Sequence, residues 1–437
     1  MKNKFLKCLS LILIGSMLTM IGCKSPATVF EPSYYANSRQ NLMESIDYIG
    51  LVTGEESINK TMTNYKFGGT DLGIPVYNSK NDTMYVFFGD TFRNPVTMGG
   101  DWRSNVCLTS KDYNLVDGLS FNGAVPFEDG MAKQVAWALH EDEWEITKIP
   151  TGGIEIDGTL YMFFFSKYSW NDKTMNRNDS MNYGGCVKST DNGETWERVF
   201  DLTWANHSEL QDGHAGLYSI ILEELINMNN YGTEYVGDVK LAEHVGYYFT
   251  QIMPIDGKDG YIYILGEGGY RDGGIKLGRV LKENFEKFNE YEYFTGFDAE
   301  NNPVFEKGYE GLRKADESDD AFIIGGKNGK CGEHSIMYNQ YLQKWVVTYI
   351  TGNADGTNKA GIVLQTADNI YGPYDKQNIL LGVDDVNKVC PEGYREKSIY
   401  GGFMHEKWTE QDGKVMYVII SQYAPIYNSS LLRVQFK

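Results

Sequence analysis

The sequence predicts an all-β fold, a five-bladed β-propeller. Three observations carry this: a composition rich in aromatics and glycine, a strand–turn–strand block that recurs five times, and one Asp-box. The composition comes first. In 437 residues, 31 tyrosines and 21 phenylalanines stand beside 48 glycines, the mix of short twisted strands joined by tight turns.

The block follows. An aromatic or β-branched strand reads Met84-Tyr85-Val86-Phe87-Phe88 and then Leu160-Tyr161-Met162-Phe163-Phe164. It returns as Tyr261-Ile262-Tyr263-Ile264-Leu265, Trp345-Val346-Val347-Thr348-Tyr349 and Val415-Met416-Tyr417-Val418-Ile419. Turn signals precede four of them: Asn81-Asp82, Asp157-Gly158, Asp259-Gly260 and Asp412-Gly413. A second strand follows each time, beginning at Ser104, Gly185, Gly274, Gly361 and Leu431. Each unit is too small to bury both of its faces, so neighbouring units must cover it; that is the logic of a propeller. A pair of β-sandwiches is the alternative. Ser189-Thr190-Asp191-Asn192-Gly193-Glu194-Thr195-Trp196 fits the Asp-box, a turn-stabilising device found between propeller strands. Too few residues follow Leu431 for another hairpin. A strand around Asp47 to Val52 is therefore expected to supply the outer edge of the last blade.

The ends define the rest of the chain. Lys2, Lys4 and Lys7 precede the apolar run Leu9–Leu18, which closes in Leu18-Thr19-Met20-Ile21-Gly22-Cys23. The run is short of the roughly 20 residues that span a bilayer, and it reads as a secretion signal. The small residue before Cys23 resembles a bacterial lipobox. Residues 1–22 are then a lipoprotein signal peptide, Cys23 the lipidated residue, residues 23–45 a tether and residues 46–437 the propeller. The expected location is the outer membrane or cell surface, with the lipid as the only membrane contact.

The chain carries a formal charge of −19. Residues 1–22 hold three lysines and no acid, so the remainder stands at −22. A surface this acidic repels phosphate backbones and polyanionic glycans; nucleic acid is excluded as a partner and a neutral polysaccharide is favoured. Cys107, Cys186, Cys331 and Cys390 form no C-x-x-C, and the six histidines form no H-x-x-x-H. No zinc site is expected, and the cofactor expectation is none, with a structural calcium ion left open.

In propellers the innermost strand of each blade lines the axis, and ligands sit at an axial mouth. The candidate inner strands begin around Gly69, Ile149, Tyr248, Cys331 and Tyr400. Asp71 lies in the first of them, and Asp90 ends the next strand in Phe88-Gly89-Asp90-Thr91. The matching positions elsewhere are Lys167, Glu267, Thr351 and Gln422, so the fold does not demand an acid there. Two carboxylates flanking a cleft are the minimal apparatus of glycoside hydrolysis; turn caps are the structural alternative. Arg103 is a candidate for holding a hydroxyl or orienting a carboxylate, or else an ion pair at a blade edge. Asn206 to Val245 interrupts the rhythm, as a lid or a plain insertion.

At these residues the chain resembles a known family. Gly69-Thr70-Asp71-Leu72-Gly73, Phe88-Gly89-Asp90-Thr91-Phe92 and Trp102-Arg103-Ser104-Asn105 come in its order and spacing. Gly332-Glu333-His334-Ser335, Tyr371-Gly372-Pro373-Tyr374 and Tyr400-Gly401-Gly402-Phe403-Met404-His405 look like its later signatures. This is a family of bacterial five-bladed propellers long carried as a domain of unknown function. Its characterised members are endo-D-arabinanases, which cut the α-linked D-arabinofuranose backbone of mycobacterial arabinogalactan and lipoarabinomannan. The resemblance implies Asp71 and Asp90 as the catalytic acids and Arg103, Asn105, Arg271, His334, Tyr400 and His405 as substrate contacts. His334 and Tyr374 depart from the residues usual there, which bears on the glycan rather than on the acids. A non-catalytic glycan-binding lipoprotein and a furanosidase for another neutral glycan are the alternatives. Which acid gives the proton, and whether configuration is retained, stay open.

Overall fold

The computed structural model describes residues 42–170, 181–206, 244–269, 271–354, 359–382, 385–390 and 399–437. The signal, Cys23 and the tether up to residue 41 lie outside them, as do residues 207–243 of the interrupting stretch.

Five antiparallel sheets form the five blades. From the axis outward, blade one runs Leu72–Asn78, Thr83–Phe88, Val106–Ser110 and Gly123–Ala124. Blade two runs Thr147–Ile156, Thr159–Lys167, Met181–Ser189 and Glu197–Ala205. Blade four runs Cys331–Asn339, Lys344–Thr351, Gly361–Ala367 and Asn378–Gly382. The innermost strands touch one another in sequence around the ring, and the strand of blade one closes it against that of blade five.

Blade five shows how the ring is locked. Its strands are Ile399–Phe403, Val415–Gln422, Asn428–Phe436 and, outermost, Met43–Leu51. The N-terminal strand pairs antiparallel with the C-terminal one, Ile46 opposite Val434, as the shortage of residues after Leu431 requires. A short fifth strand, Thr409–Glu410, pairs with Val415–Gln422 in blade five, and blade three departs further from four strands. Beyond Gln251–Asp256, Tyr261–Gly268, Asp272–Leu281 and Glu292–Phe297, it adds Pro303–Lys307, and Phe322–Ile324 pairs with Asp272–Leu281. The long connection after the third strand folds back onto its own sheet.

The second strand of each blade explains the sequence signal. Thr83–Phe88 is buried at every residue, and so is Val415–Gln422. A strand covered on both faces loses polar alternation and reads as a continuous apolar run. The Asp-box behaves as a turn clasp. Asp191 accepts the Thr195 amide at 2.9 Å and its hydroxyl at 2.6 Å, and the Trp196 indole donates to the Gly193 carbonyl. Trp196 packs edge-on against Phe87 of the neighbouring blade, ring centres 5.7 Å apart. Cys107, Cys186, Cys331 and Cys390 are buried free thiols.

Four inner hairpins carry a β-bulge near the same mouth: between Leu72 and Ile74, Pro150 and Gly152, Gly332 and His334, and Gly401 and Phe403. A bulge re-aims the side chains around it, and these four sit beside the cavity described next.

Candidate active site

A cavity of about 810 Å³ opens at the axial mouth where the inner strands begin. Leu72, Ile149, Phe165, Ile350 and Ile399 give it apolar walls, and Asp71, Asp90, Arg271, Glu333, Tyr400 and Tyr427 supply the polar groups. Its size is that of a site for an organic ligand. Trp170, Tyr423 and Met98 are exposed at its rim. A smaller hollow of about 210 Å³ lies where the same strands end, lined among others by Tyr77, Tyr338 and His405.

Asp71 precedes the innermost strand of blade one. Its Oδ2 accepts the Tyr400 hydroxyl at 2.7 Å, and the nearby Tyr427 hydroxyl favours its ionised form. Its Oδ1 is buried without a hydrogen-bond partner. Asp90 follows the second strand of the same blade. Its Oδ1 accepts the Trp102 indole N–H at 2.7 Å and lies 2.5 Å from the Thr147 hydroxyl of blade two. Thr147 in turn is 2.9 Å from Ser104 Oγ.

Burial is the main cause of what these two acids share. It lifts Asp71 from the ordinary carboxylate range to about 6, against the hydrogen bonds from Tyr400 and Tyr427. It lifts Asp90 further, to about 8, and the nearby charge of Asp71 adds to that rise. The apolar walls penalise the ionised form of each, and the two like charges oppose one another. Both carboxyls are thus biased toward the protonated form, Asp90 more than Asp71.

A third carboxylate, Glu333, enters from blade four. Arg271 of blade three grips it with both arms of the guanidinium, Nε at 2.9 Å and Nη2 at 2.6 Å, and lies 5.1 Å over the Tyr400 ring. Glu333 carries no separate signature in the sequence beyond its place beside His334. The bulge between Gly332 and His334 decides which of the two meets the cavity. Thr147 and Tyr427 are silent in the sequence, and Trp102 stands in a recognisable motif that does not announce its bond to Asp90, because each role depends on contacts with residues distant in the chain.

A residue must face the cavity to touch a ligand there. Of the contacts expected from the sequence, Arg271 and Tyr400 do so, lining it with the two acids. Arg103, Asn105, His334 and His405 are engaged elsewhere. Arg103 is buried and donates to the carbonyls of Ala132 and Lys66 at 2.6 and 2.8 Å. Asn105 is buried as well; it donates to the carbonyls of Ala136 and Lys148 and accepts the amides of Val135 and Ala136. Both brace residues 132–136, and they reach on to Lys66 and Lys148. His334 lies under the Leu265 carbonyl, its Nε2 at 3.2 Å, and burial pushes its pKa down to about 4. His405 sits at the opposite mouth, 6.3 Å from the Tyr77 ring. Among the described residues no group of three or more His, Cys, Asp or Glu side chains is placed to hold a metal ion, and no helix is long and apolar enough to cross a membrane.

A family model described as "Domain of unknown function (DUF4185)" matches residues 56–433. No curated protein matches the sequence. Among solved structures the chain is similar to a protein from Bacteroides ovatus described as a putative hydrolase, with TM-score 0.48, 10% identity, 85% of this chain and 87% of that one covered. It is also similar to an endo-1,5-α-L-arabinanase from Thermotoga petrophila (0.45, 12%, 85% and 75%). A third is an α-L-arabinanase from Cellvibrio cellulosa in complex with arabinohexaose (0.43, 12%, 83% and 91%).

Proposed function

The chain belongs to the DUF4185 family, and we propose that this member is a glycoside hydrolase acting within chains of α-linked D-arabinofuranose. The observation that carries the reading is the Asp71–Asp90 pair: two buried carboxyl groups in one cavity whose surroundings hold them in opposite protonation states. Hydrolysis of a glycosidic bond asks for that division of labour.

Asp90 is the general acid. Its Oδ1 is occupied by Trp102 and Thr147, so the proton resides on Oδ2. It passes to the glycosidic oxygen as the bond to the anomeric carbon breaks. Asp71 is the ionised partner, which takes a proton from the attacking water or itself meets the anomeric carbon. Tyr400 holds its carboxylate in place, and Tyr427 beside it favours the ionised form.

The glycan class rests on three supports. The net charge of −19 disfavours polyanions. The exposed aromatics Trp170 and Tyr423 at the rim offer flat apolar faces with polar edges. The motifs around Asp71, Asp90 and Trp102 resemble those of endo-D-arabinanases, which is what favours the D-configured arabinan. We further place the protein on the outer membrane or cell surface, held by lipid at Cys23.

The test is incubation of the purified protein with D-arabinan and L-arabinan side by side, with products separated by size. A ladder of oligosaccharides from D-arabinan alone is the expected result. A ladder from L-arabinan alone moves the substrate to another furanoside, and binding without products makes the protein a glycan receptor.

A further inference from the structure

Arg271 has an unusual backbone. Its φ is 61°, in the left-handed region that costs a residue with a side chain and that persists only where the surroundings enforce it. The enforcement is visible. The Arg271 amide donates at 3.0 Å to Oε1 of Glu267, a fully buried carboxyl that burial raises well above its ordinary pKa. In blade four a Cβ on Gly332 would stand 2.5 Å from Arg271 Cγ. The neighbour of Glu333 is therefore a residue without a side chain, and the arginine stem passes over it.

From that position the guanidinium does two things. It binds both oxygens of Glu333, and it lies against the ring of Tyr400, whose hydroxyl donates to Asp71. Residues of blades three, four and five thus converge on one carboxylate of blade one. Among the described residues, the ionisable groups facing Asp71 are Asp90, Glu333, Arg271, Tyr400 and Tyr427. Of these only Arg271 is a cation.

We propose that Arg271 is a positioning residue for Asp71, neutralising Glu333 beside it and holding Tyr400 in donating orientation, rather than a contact for the substrate. The inference rests on the reading of Asp71 as the ionised member of the pair. Without Arg271, the bare Glu333 charge and a loosened Tyr400 both favour protonated Asp71, which cannot serve as base.

The test has a readout independent of turnover. Full-length protein carrying carboxyl-13C aspartate is titrated by NMR, with Asp71 assigned through its absence in Asp71→Asn. Arg271→Met is expected to move the Asp71 titration up by about one pH unit, and Glu333→Gln to move it down. The double variant should return close to wild type, because the two charges are removed together. Arg271→Lys, which keeps charge but loses the fork, should leave the titration close to wild type, and Glu333→Gln alone carries the test if Arg271→Met does not fold. The acid limb of kcat/KM should move in step. An unmoved Asp71 titration in Glu333→Gln and Arg271→Met, with KM raised in the latter, overturns the inference and makes Arg271 a substrate contact. If the titrations move while wild type cleaves no arabinan, the inference stands and the hydrolase reading falls.

Discussion

A Cβ placed on Gly89 would stand 2.3 Å from Oδ1 of Asp71. No real Cβ approaches an oxygen that closely, so the glycine of Phe88-Gly89-Asp90 exists to make room for the carboxylate across the hairpin. The Gly89 amide also donates to the Asp71 carbonyl at 3.1 Å, fixing the two strand ends at that distance.

Gly89→Ala is therefore expected to displace Asp71 and lower kcat/KM by about 10²-fold, the scale on which a misplaced catalytic group is felt. Overpacking should also lower stability by about 1–3 kcal/mol. In an Asp71→Ala background the same change should cost little, since the obstacle is gone. Thermal unfolding of the four proteins in this cycle measures the coupling; independent effects would show that Gly89 and Asp71 do not share the space.

The protonation split predicts a bell-shaped dependence of kcat/KM on pH. A base must be ionised, so activity rises as pH passes the Asp71 value of about 6. An acid must hold its proton, so activity falls as pH passes the Asp90 value of about 8. Asp71→Asn and Asp90→Asn should each reduce turnover on arabinan by about 10²–10⁴-fold and remain folded. A wild-type rate that climbs without a break from pH 5 to 9 would remove Asp90 from the role of acid.

The sequence announces those parts of the fold whose physics is local. Second strands such as Thr83–Phe88 are covered on both faces and read as apolar runs; Asp90 stands out because it ends a strand where the other units place Lys167, Glu267, Thr351 and Gln422, only one of them an acid, and Asp71 because a second acid lies in the strand beside it. What it withholds depends on distant partners. Arg103 and Asn105 look like ligand-binding side chains until the carbonyls of Lys66, Ala132, Ala136 and Lys148 arrive beside them. The bulge before His334 has no composition signal of its own, and it is what brings Glu333 rather than His334 into the cavity.

Lipidation at Cys23 predicts a simple fractionation. The wild-type protein should partition with membranes and leave them only in detergent. A Cys23→Ser protein cannot be acylated at that residue, and should appear in the soluble fraction with unchanged activity on soluble arabinan. A variant that still sediments with membranes would mean that something other than this cysteine holds the chain there.

The last prediction concerns stability and follows from the same burial that primes the site. Asp90 carries a folded pKa of about 8, well above that of an exposed aspartate, about 3.9. Below pH 4 both folded and unfolded chains hold the proton, and the group costs nothing extra. As pH rises from there, the unfolded chain releases its proton while the folded one keeps it. Stability then falls by up to about 1.4 kcal/mol per pH unit from this group, until the folded pKa is reached and the loss levels off. Asn at position 90 has no proton to lose, and its side-chain oxygen still accepts from Trp102 and Thr147. Asp90→Asn should therefore match the wild type in Tm near pH 4 and exceed it near pH 8.5, by an amount corresponding to a few kcal/mol. Asp71→Asn should follow the same course with a smaller gain, its folded value being about 6. Calorimetric unfolding of the three proteins at both pH values decides the matter: a Tm difference that does not grow with pH would mean that Asp90 titrates alike in the folded and unfolded chain, and that its surroundings do not hold the proton hydrolysis needs.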